Sequence, residues 1–287
     1  MKPLFMWAGG KTRMLKKYTE YLPDEVEHYV EPFLGAGAMF VWAYQKNPEA
    51  TFVLNDYNEP IMNIYTAVRN DVNAFAEKLD YLSDRYLPLK KPDRKTFYYA
   101  LRHEHAYEYQ KWTKTEEAAT LYFLMKTGFN GIWQINKNTN GRFGTPSGLL
   151  NQTDKVYDYA NVKEWNEALQ RCTLLTGDFG DVLPHIQRGS YVFLDPPYRG
   201  SFTQYGVDFD DEVQQRVVDF LNDSKELGAY TLMSNRDTGD GFFADRALDN
   251  HIVRFEVTYT AGRRKKHDDG SFTAKKATEI LMIGEPE

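Results

Sequence analysis

Four consecutive apolar residues, Tyr191-Val192-Phe193-Leu194, run directly into Asp195-Pro196-Pro197-Tyr198, with Gly189-Ser190 before them. An unbroken apolar run bounded in this way reads as a short strand buried inside a sheet. Neither proline carries an N–H, so the ladder has to stop there and the proline carbonyls are expected to accept from something outside the sheet. An aspartate oxygen, a proline carbonyl and an aromatic face held together form a grip for a flat amine. Two acceptors take the amino hydrogens and the ring supplies a stacking surface. A strand-ending aspartate with a Pro-Pro stop is the plain alternative, and the rest of the chain decides between them.

Strand, turn and helix alternate on either side of this stretch. Tyr29-Val30-Glu31-Pro32-Phe33-Leu34-Gly35-Ala36-Gly37-Ala38 reads as a strand entering a glycine turn, followed by a helix from Met39 to Gln45. That is the first unit of an α/β ligand-binding fold. A dinucleotide fingerprint wants glycine or alanine where this chain has Phe40, so a cofactor without a pyrophosphate fits better. Strand Thr51 to Leu54 ends in Asn55-Asp56-Tyr57-Asn58, which puts Asp56 about 20 residues beyond the glycines, where a carboxylate can accept from ribose hydroxyls. The same residue could instead cap a helical run from Glu59 to Leu79. Further strands are read at Thr173 to Thr176, ending in Gly177-Asp178-Phe179, and at Ala229 to Ser234, after a helix from Asp211 to Leu227. His251 to Tyr259 and Glu279 to Ile283 read as an antiparallel edge hairpin. Near the N-terminus, Trp7-Ala8-Gly9-Gly10-Lys11 precedes a helix-like run, Thr12 to Tyr21. It lacks the spacing of a phosphate loop, and its tryptophan and lysine suit a ligand with an aromatic ring and a carboxylate.

At 287 residues and 42% hydrophobic the chain can bury one good core, with room for an inserted subdomain. No apolar run approaches the ~20 residues of a membrane span, and no secretory leader is read. The single cysteine, Cys172, excludes an internal disulfide and a cysteine-based metal cluster. The net charge of −6 conceals a division. From Arg85 to Arg142 eleven lysines and arginines stand against five acids, a local +6 that leaves −12 for the remainder. A basic segment inside an acidic chain is the footprint of a polyanion-binding surface, or more plainly a solvated pair of helices. Two helices with apolar faces are expected between Asp93 and Lys126. They lead into a glycine- and asparagine-rich loop, Gly128 to Gly148, that carries Phe129, Asn130, Ile132, Trp133, Gln134, Asn136 and Arg142. Such a loop offers an apolar wedge and amides for base edges. A second basic run, Arg263 to His267, reads as a loop able to touch phosphates, Arg264 and Lys265 among its residues.

In order along the chain, Trp-Ala-Gly-Gly-Lys (7–11), Glu-Pro-Phe-Leu-Gly-Ala-Gly (31–37), Asn-Asp-Tyr-Asn (55–58), Phe-Asn-Gly (129–131), Asp-Pro-Pro-Tyr (195–198) and Ser-Asn-Arg-Asp-Thr (234–238) resemble the Dam family of DNA adenine-N6 methyltransferases, the D12 class of the alpha group, with its phage and prophage types. The resemblance implies a Rossmann-like sheet with helices on both faces, carried by residues 1–80 and 150–287. It also implies a mostly helical target-recognition insertion with a β-hairpin loop at 81–149. S-adenosylmethionine would be the cofactor, held by Trp7, Lys11, Glu31, Phe33, Gly35, Gly37, Asp56, Tyr57, Asp178, Phe179 and Asp195. Within that set Lys11 would sit near the methionine carboxylate, Asp56 at the ribose, and Asp178 with Phe179 at the adenine. Asp195, Pro196, Pro197 and Tyr198 would be catalytic, acting on an adenine flipped out of the duplex. Double-stranded DNA would be the partner, contacted by Lys126, Phe129, Asn130, Ile132, Trp133, Gln134, Asn136, Arg142, Arg264 and Lys265. No metal and no membrane are implied. The expected setting is the cytoplasm of a bacterium or phage-infected host, beside the nucleoid, as a monomer or weak dimer on DNA.

Two departures bear on the target. Gln134 stands where GATC-methylating members carry an arginine that reads guanine, and glutamine suits adenine or discriminates less. Gly148-Leu149 replaces a Gly-Arg and so removes a phosphate contact. A GATC-like or relaxed target follows, with or without a restriction partner. Two rival functions stand beside this one: a catalytically silent DNA-binding protein of the same fold, and an RNA adenine methyltransferase. Asp195 argues against the latter, which more often carries asparagine there.

Overall fold

The computed structural model describes the chain apart from residues 8–9, 149–154, 201–208, 260–264, 267–271, 274 and 287. The described residues form nine strands: β1 (His28–Glu31), β2 (Thr51–Asp56), β3 (Cys172–Thr176), β4 (Tyr191–Leu194), β5 (Tyr230–Asp237), β6 (His251–Tyr259), β7 (Lys265–Lys266), β8 (Phe272–Thr273) and β9 (Lys275–Gly284). Seven of them form one sheet in the order β3-β2-β1-β4-β5-β9-β6, and β7 pairs with β8 alone. The first five are parallel, whereas β9 runs antiparallel to both β5 and β6.

The alternation of side chains along each strand builds two cores. Tyr29, Phe52, Leu54, Tyr191, Phe193, Leu232 and Leu281 point to one face. Their immediate neighbours Val30, Val53, Val192, Leu194, Met233, Ile280 and Met282 point to the other. The first face is covered by α2 (Ala38–Lys46), α3 (Glu59–Asn70) and α7 (Tyr159–Leu169), reached through Phe40, Ile64, Tyr65 and Trp165. The second is covered by α8 (Asp211–Glu226) and a 3-10 segment, Phe179–His185, through Val182, Val217, Val218 and Leu221. All four side chains of β4 are buried. At ~1.5–3 kcal/mol for each large apolar side chain removed from water, four residues are enough to anchor so short a strand.

Sheet order reverses between β1 and β4, since the chain first steps outward to β2 and β3 and then returns to the opposite side of β1. In open α/β sheets the crevice outside the carboxyl ends of the strands at such a reversal is where ligands bind. The long connection from β2 to β3 contains α4 (Val72–Tyr86), α5 (Lys91–Tyr107) and α6 (Lys114–Thr127). Phe75, Leu79, Tyr98, Tyr122 and Phe123 from these helices join the same core as α2 and α3. The basic segment thus leans on the sheet's own hydrophobic layer. No helix among the described residues is long and apolar enough to cross a membrane.

Local chemistry moves several of the expected boundaries. The run 12–21 is broken into a 3-10 turn (Lys11–Arg13), α1 (Leu15–Tyr18) and a second 3-10 turn (Thr19–Tyr21). Thr19 Oγ1 bonds back to the Leu15 carbonyl at 2.9 Å there. The expected single helix from Glu59 divides at Asp71, which ends α3 and caps α4 by accepting from Ala74 N at 3.1 Å. The C-terminal hairpin forms as β6 and β9, yet β9 lies inside the sheet and only β6 is at the edge. Helix α7 has no counterpart in the sequence reading.

Candidate active site

Four neighbouring parallel strands each deliver a carboxylate to the crevice: Asp178 just after β3, Asp56 at the end of β2, Glu31 at the end of β1 and Asp195 just after β4. Their environments differ. Glu31 is buried, 2% exposed, and its Oε2 accepts from Tyr29 Oη at 2.8 Å. Burial pushes its carboxyl well above the usual range, the Tyr29 bond pulls back, and the nearby Asp195 charge adds to the rise. Asp56 is half-buried, and its two oxygens accept from Gly35 N at 2.8 Å and Asn58 N at 2.9 Å. Burial raises its carboxyl and these two amides lower it again. Among the described residues each oxygen takes one amide and keeps a second lone pair. The helix after β2 is capped by Asn58, whose side chain accepts from Ile61 N, and not by Asp56.

At Asp195 two donors converge on one atom. Lys11 Nζ lies 2.6 Å from Oδ1, and Ser234 Oγ donates to the same oxygen at 2.7 Å. Lys11 was expected beside a cofactor carboxylate; it is buried against Asp195, and its ammonium stands 4.7 Å from the centre of the Tyr198 ring. Burial disfavours the Lys11 charge, the Asp195 carboxylate outweighs it, and the net shift is upward. Among the described residues no other donor reaches this carboxylate, so Oδ2 remains for a third.

The two proline carbonyls part company. That of Pro197, expected to face outward, is taken inside the protein by Gln214 Nε2 at 2.8 Å. Asn235 Nδ2 in turn donates to Gln214 Oε1 at 2.9 Å, and Asn235 Oδ1 accepts from Arg199 N at 3.1 Å and Arg236 N at 2.8 Å. Among the described residues nothing donates to the Pro196 carbonyl. Arg199, directly after Tyr198, fastens the turn with a fork onto Asp211 (2.6 and 2.7 Å) and a bond to Asp240 at 2.5 Å. That bond, ahead of the Phe242 N–H, pulls the Asp240 carboxyl down to about 2.

The glycine turn after β1 owes its residues to packing. Gly35 and Gly37 adopt φ of 49° and 70°. A Cβ on Gly35 would lie 3.1 Å from Trp7 Nε1, and one on Gly37 would lie 2.6 Å from the Trp165 ring. Trp7 therefore roofs the turn and reaches onward to Trp133, with ring centres 6.0 Å apart. On the far side of the crevice Phe33 and Phe179 lie 5.3 Å apart. Asp178 Oδ1 accepts from Gly180 N at 2.8 Å and Arg216 Nη2 at 2.7 Å. Tyr57 is 57% exposed at the rim.

The loop from 128 to 148 closes as an irregular hairpin. Gly128 bridges Ser147 and Ile135 bridges Phe143, with Gly144 N donating to the Gln134 carbonyl at 2.6 Å. Its residues divide into three kinds. Phe129 and Asn130 are exposed and Asn130 takes a left-handed φ of 54°, while Ile132 and Gln134 are half-exposed beside them. Trp133, expected on the outer side, is buried between Trp7 and Phe143 because the chain turns inward at Gly131, which sits against Met6. Asn136 and Arg142 serve the loop itself. Asn136 caps the turn by accepting from Asn138 N at 2.8 Å. Arg142 pairs with Glu117 and stacks 3.8 Å from the centre of the Tyr109 ring. Lys126 is half-buried, and burial lowers its ammonium. Lys265 lies on β7 opposite Thr273. Arg264, Leu149, Ala8 and Gly9 fall outside the described residues.

Nothing in the sequence pattern gives Ser234, Asn235 or Arg199 a role. One signal was readable: Gln214 shares a helical stripe with Val217, Val218 and Leu221, and an amide in an apolar stripe has to find a buried partner.

A family model described as D12 class N6 adenine-specific DNA methyltransferase matches residues 7–261. The chain is 35% identical over 253 residues to the type II methyltransferase M.MjaIII of Methanocaldococcus jannaschii, covering 84% of this chain and 86% of that one. It is 26% identical over 297 residues to the type II methyltransferase M1.LlaDCHI of Lactococcus lactis subsp. cremoris, covering 98% and 95%. It is also 26% identical over 286 residues to the retron Ec67 DNA adenine methylase of Escherichia coli, covering 99% and 91%.

Proposed function

Because the chain belongs to the D12 class of N6 adenine-specific DNA methyltransferases, we propose that its Asp195-Pro196-Pro197-Tyr198 turn holds the amino group of an adenine rotated out of duplex DNA while S-adenosylmethionine donates the methyl. One observation carries the assignment of the grip. Lys11 and Ser234 both occupy Oδ1 of Asp195, so among the described residues Oδ2 and the adjacent Pro196 carbonyl are the two acceptors left to one amine.

An adenine amino nitrogen is a poor nucleophile because its lone pair is delocalised into the ring. Accepting both N–H groups draws that nitrogen toward tetrahedral geometry, and the carboxylate stabilises the positive charge that grows as the N–C bond forms. Lys11 keeps Asp195 aimed. Asp195 is also the base that lies against the surplus proton once the bond is made. Tyr198 offers the ring on which the base stacks. When bound, S-adenosylmethionine supplies an electrophilic sulfonium methyl. The crevice suits it: Asp56 for the ribose hydroxyls, Glu31 for the ammonium group, and the Phe33–Phe179 side with Asp178 for its adenine. No dinucleotide glycine pattern is present to demand a pyrophosphate.

An amino group inside the duplex is out of reach, so the adenine has to be flipped, at a cost of a few kcal/mol. Residues 81–149 are the DNA-recognition insertion and residues 1–80 with 150–287 the catalytic part. Phe129 and Ile132 would fill the gap that the base leaves, and Gln134 would read a base edge. The exposed cations Arg85, Lys90, Lys91, Lys95, Lys114 and Lys137 supply phosphate contacts. The target is GATC-like or relaxed. The protein would act as a monomer or weak dimer in the cytoplasm of a bacterium or phage-infected host, alone or with a restriction enzyme.

The test is transfer of labelled methyl from S-adenosylmethionine to unmethylated duplex DNA, with Asp195→Ala alongside and the modified bases mapped by sequencing. Label on adenine N6 that vanishes in the variant is the expected result. Label that persists in Asp195→Ala removes the grip. Salt-sensitive DNA binding without any label would favour a silent occupancy protein.

A further inference from the structure

The two carbonyls of Pro196 and Pro197 are adjacent in the chain and have opposite fates, and a single buried side chain separates them. Gln214 and Asn235 are fully buried, and each amide is paired at both its oxygen and its nitrogen. We infer that Gln214 is a positioning residue for methyl transfer, turning the Pro196 carbonyl toward the substrate amine by holding that of Pro197 inside the protein. This rests on the reading that Asp195 and Pro196 together grip that amine.

The ring of Pro197 fixes φ near −65°, and the peptide between Pro196 and Pro197 is planar. The plane that carries the Pro196 carbonyl is thus rigidly tied to the Pro197 Cα. Toward the residues that follow, only ψ of Pro197 can swing that plane. Gln214 pins the Pro197 carbonyl on one side of this bond, and Asn235 pins Arg199 N two residues on. With both held, the direction of the Pro196 carbonyl is set by the protein and not by the ligand. A hydrophobe at position 214 would continue the apolar stripe of α8. The amide brings orientation instead, since a neutral buried hydrogen bond returns little net stability.

Isosteric variants test this. Gln214→Met removes both ends of the amide. Gln214→Glu keeps an acceptor for Asn235 but sets an oxygen against the Pro197 carbonyl. Both are compared with wild type and Asp195→Ala in three measurements: thermal unfolding, calorimetric binding of S-adenosylhomocysteine, and single-turnover methyl transfer to unmethylated duplex DNA at saturation. Folded variants are expected to bind S-adenosylhomocysteine within about twofold of wild type and to transfer methyl roughly ten- to a hundredfold more slowly, short of the full loss of a direct transition-state donor. Wild-type rates in folded Gln214→Glu and Gln214→Met, with Asp195→Ala inactive, overturn the role of Gln214 and leave the grip standing. Activity in Asp195→Ala overturns the grip itself. If neither variant folds, Gln214 is structural and the proposal fails.

Discussion

Lys11 and Asp195, far apart in the sequence, form an ion pair of 2.6 Å in which the lysine side chain is only 5% exposed. A charge buried this deeply is tolerable only because its partner is beside it. Lys11→Met should leave Asp195 without its counter-charge. Removing one member of a buried pair costs 3–5 kcal/mol, and about 3 kcal/mol is expected here because Asp195 keeps some contact with water. Urea denaturation reads that loss, and single-turnover transfer should fall with it. If Lys11 served only a cofactor carboxylate, the variant would weaken S-adenosylhomocysteine binding and leave the unfolding midpoint in place.

Ser234 shares Oδ1 of Asp195 with that lysine and is fully buried on β5. Ser234→Ala should forfeit one hydrogen bond to a charged group, ~1.5–3 kcal/mol, while the ion pair persists. With a single donor left, the carboxylate can rotate. The methyl-transfer rate is expected to drop about tenfold, as befits a support one step removed from the transition state. Duplex affinity, read by fluorescence anisotropy, should stay at the wild-type value. An unchanged rate would show that Lys11 alone fixes the carboxylate.

Much of the sheet could be read from the chain because apolar runs such as Tyr191–Leu194 end in polar turns, and those turns lie at the carboxyl ends of the parallel strands where the crevice opens. Strand order could not be read: nothing local tells β9 to enter between β5 and β6. The acidic residues of the crevice were visible as strand endings. Their supports were not, since Lys11, Ser234 and Gln214 reach Asp195 and Pro197 only through the fold. Asparagine- and glycine-rich sequence announces a loop but not which side chains it turns inward, so nothing local says that Trp133 is core or that Asn136 caps a turn.

That division of the loop predicts opposite phenotypes for adjacent residues. Gln134→Arg should alter which adenines are methylated, favouring sites with guanine at the contacted position by ~1–3 kcal/mol, with the unfolding temperature unchanged. Trp133→Ala should leave the mapped sites as they are. It removes the ring between Trp7 and Phe143 and should cost about 3–5 kcal/mol of stability, the usual range for a large aromatic lost from a core. Sequencing of methylated adenines together with thermal unfolding separates the two. A changed target in Trp133→Ala would return that residue to the interface.

His105 gives the fold a predictable weakness in acid. It lies on α5, 2% exposed, stacked 6.4 Å from Trp112, and among the described residues neither ring nitrogen has a hydrogen-bond partner. Burial, with the Arg142 charge adding to it, lowers its pKa from the ordinary 6.5 to about 3. Between those values the unfolded chain binds a proton that the folded chain refuses, so stability falls as pH falls, by up to ~1.4 kcal/mol per unit. His105→Phe keeps a ring in the site and cannot titrate. From pH 7 to pH 4.5, wild type should therefore lose about 2–3 kcal/mol more than the variant in urea denaturation. Because Arg142, whose charge acts on this ring, also pairs with Glu117 and so ties the 128–148 loop to α6, the loss should be felt first in duplex binding. Parallel stability profiles for the two proteins would mean that the histidine finds water or a partner before it is charged.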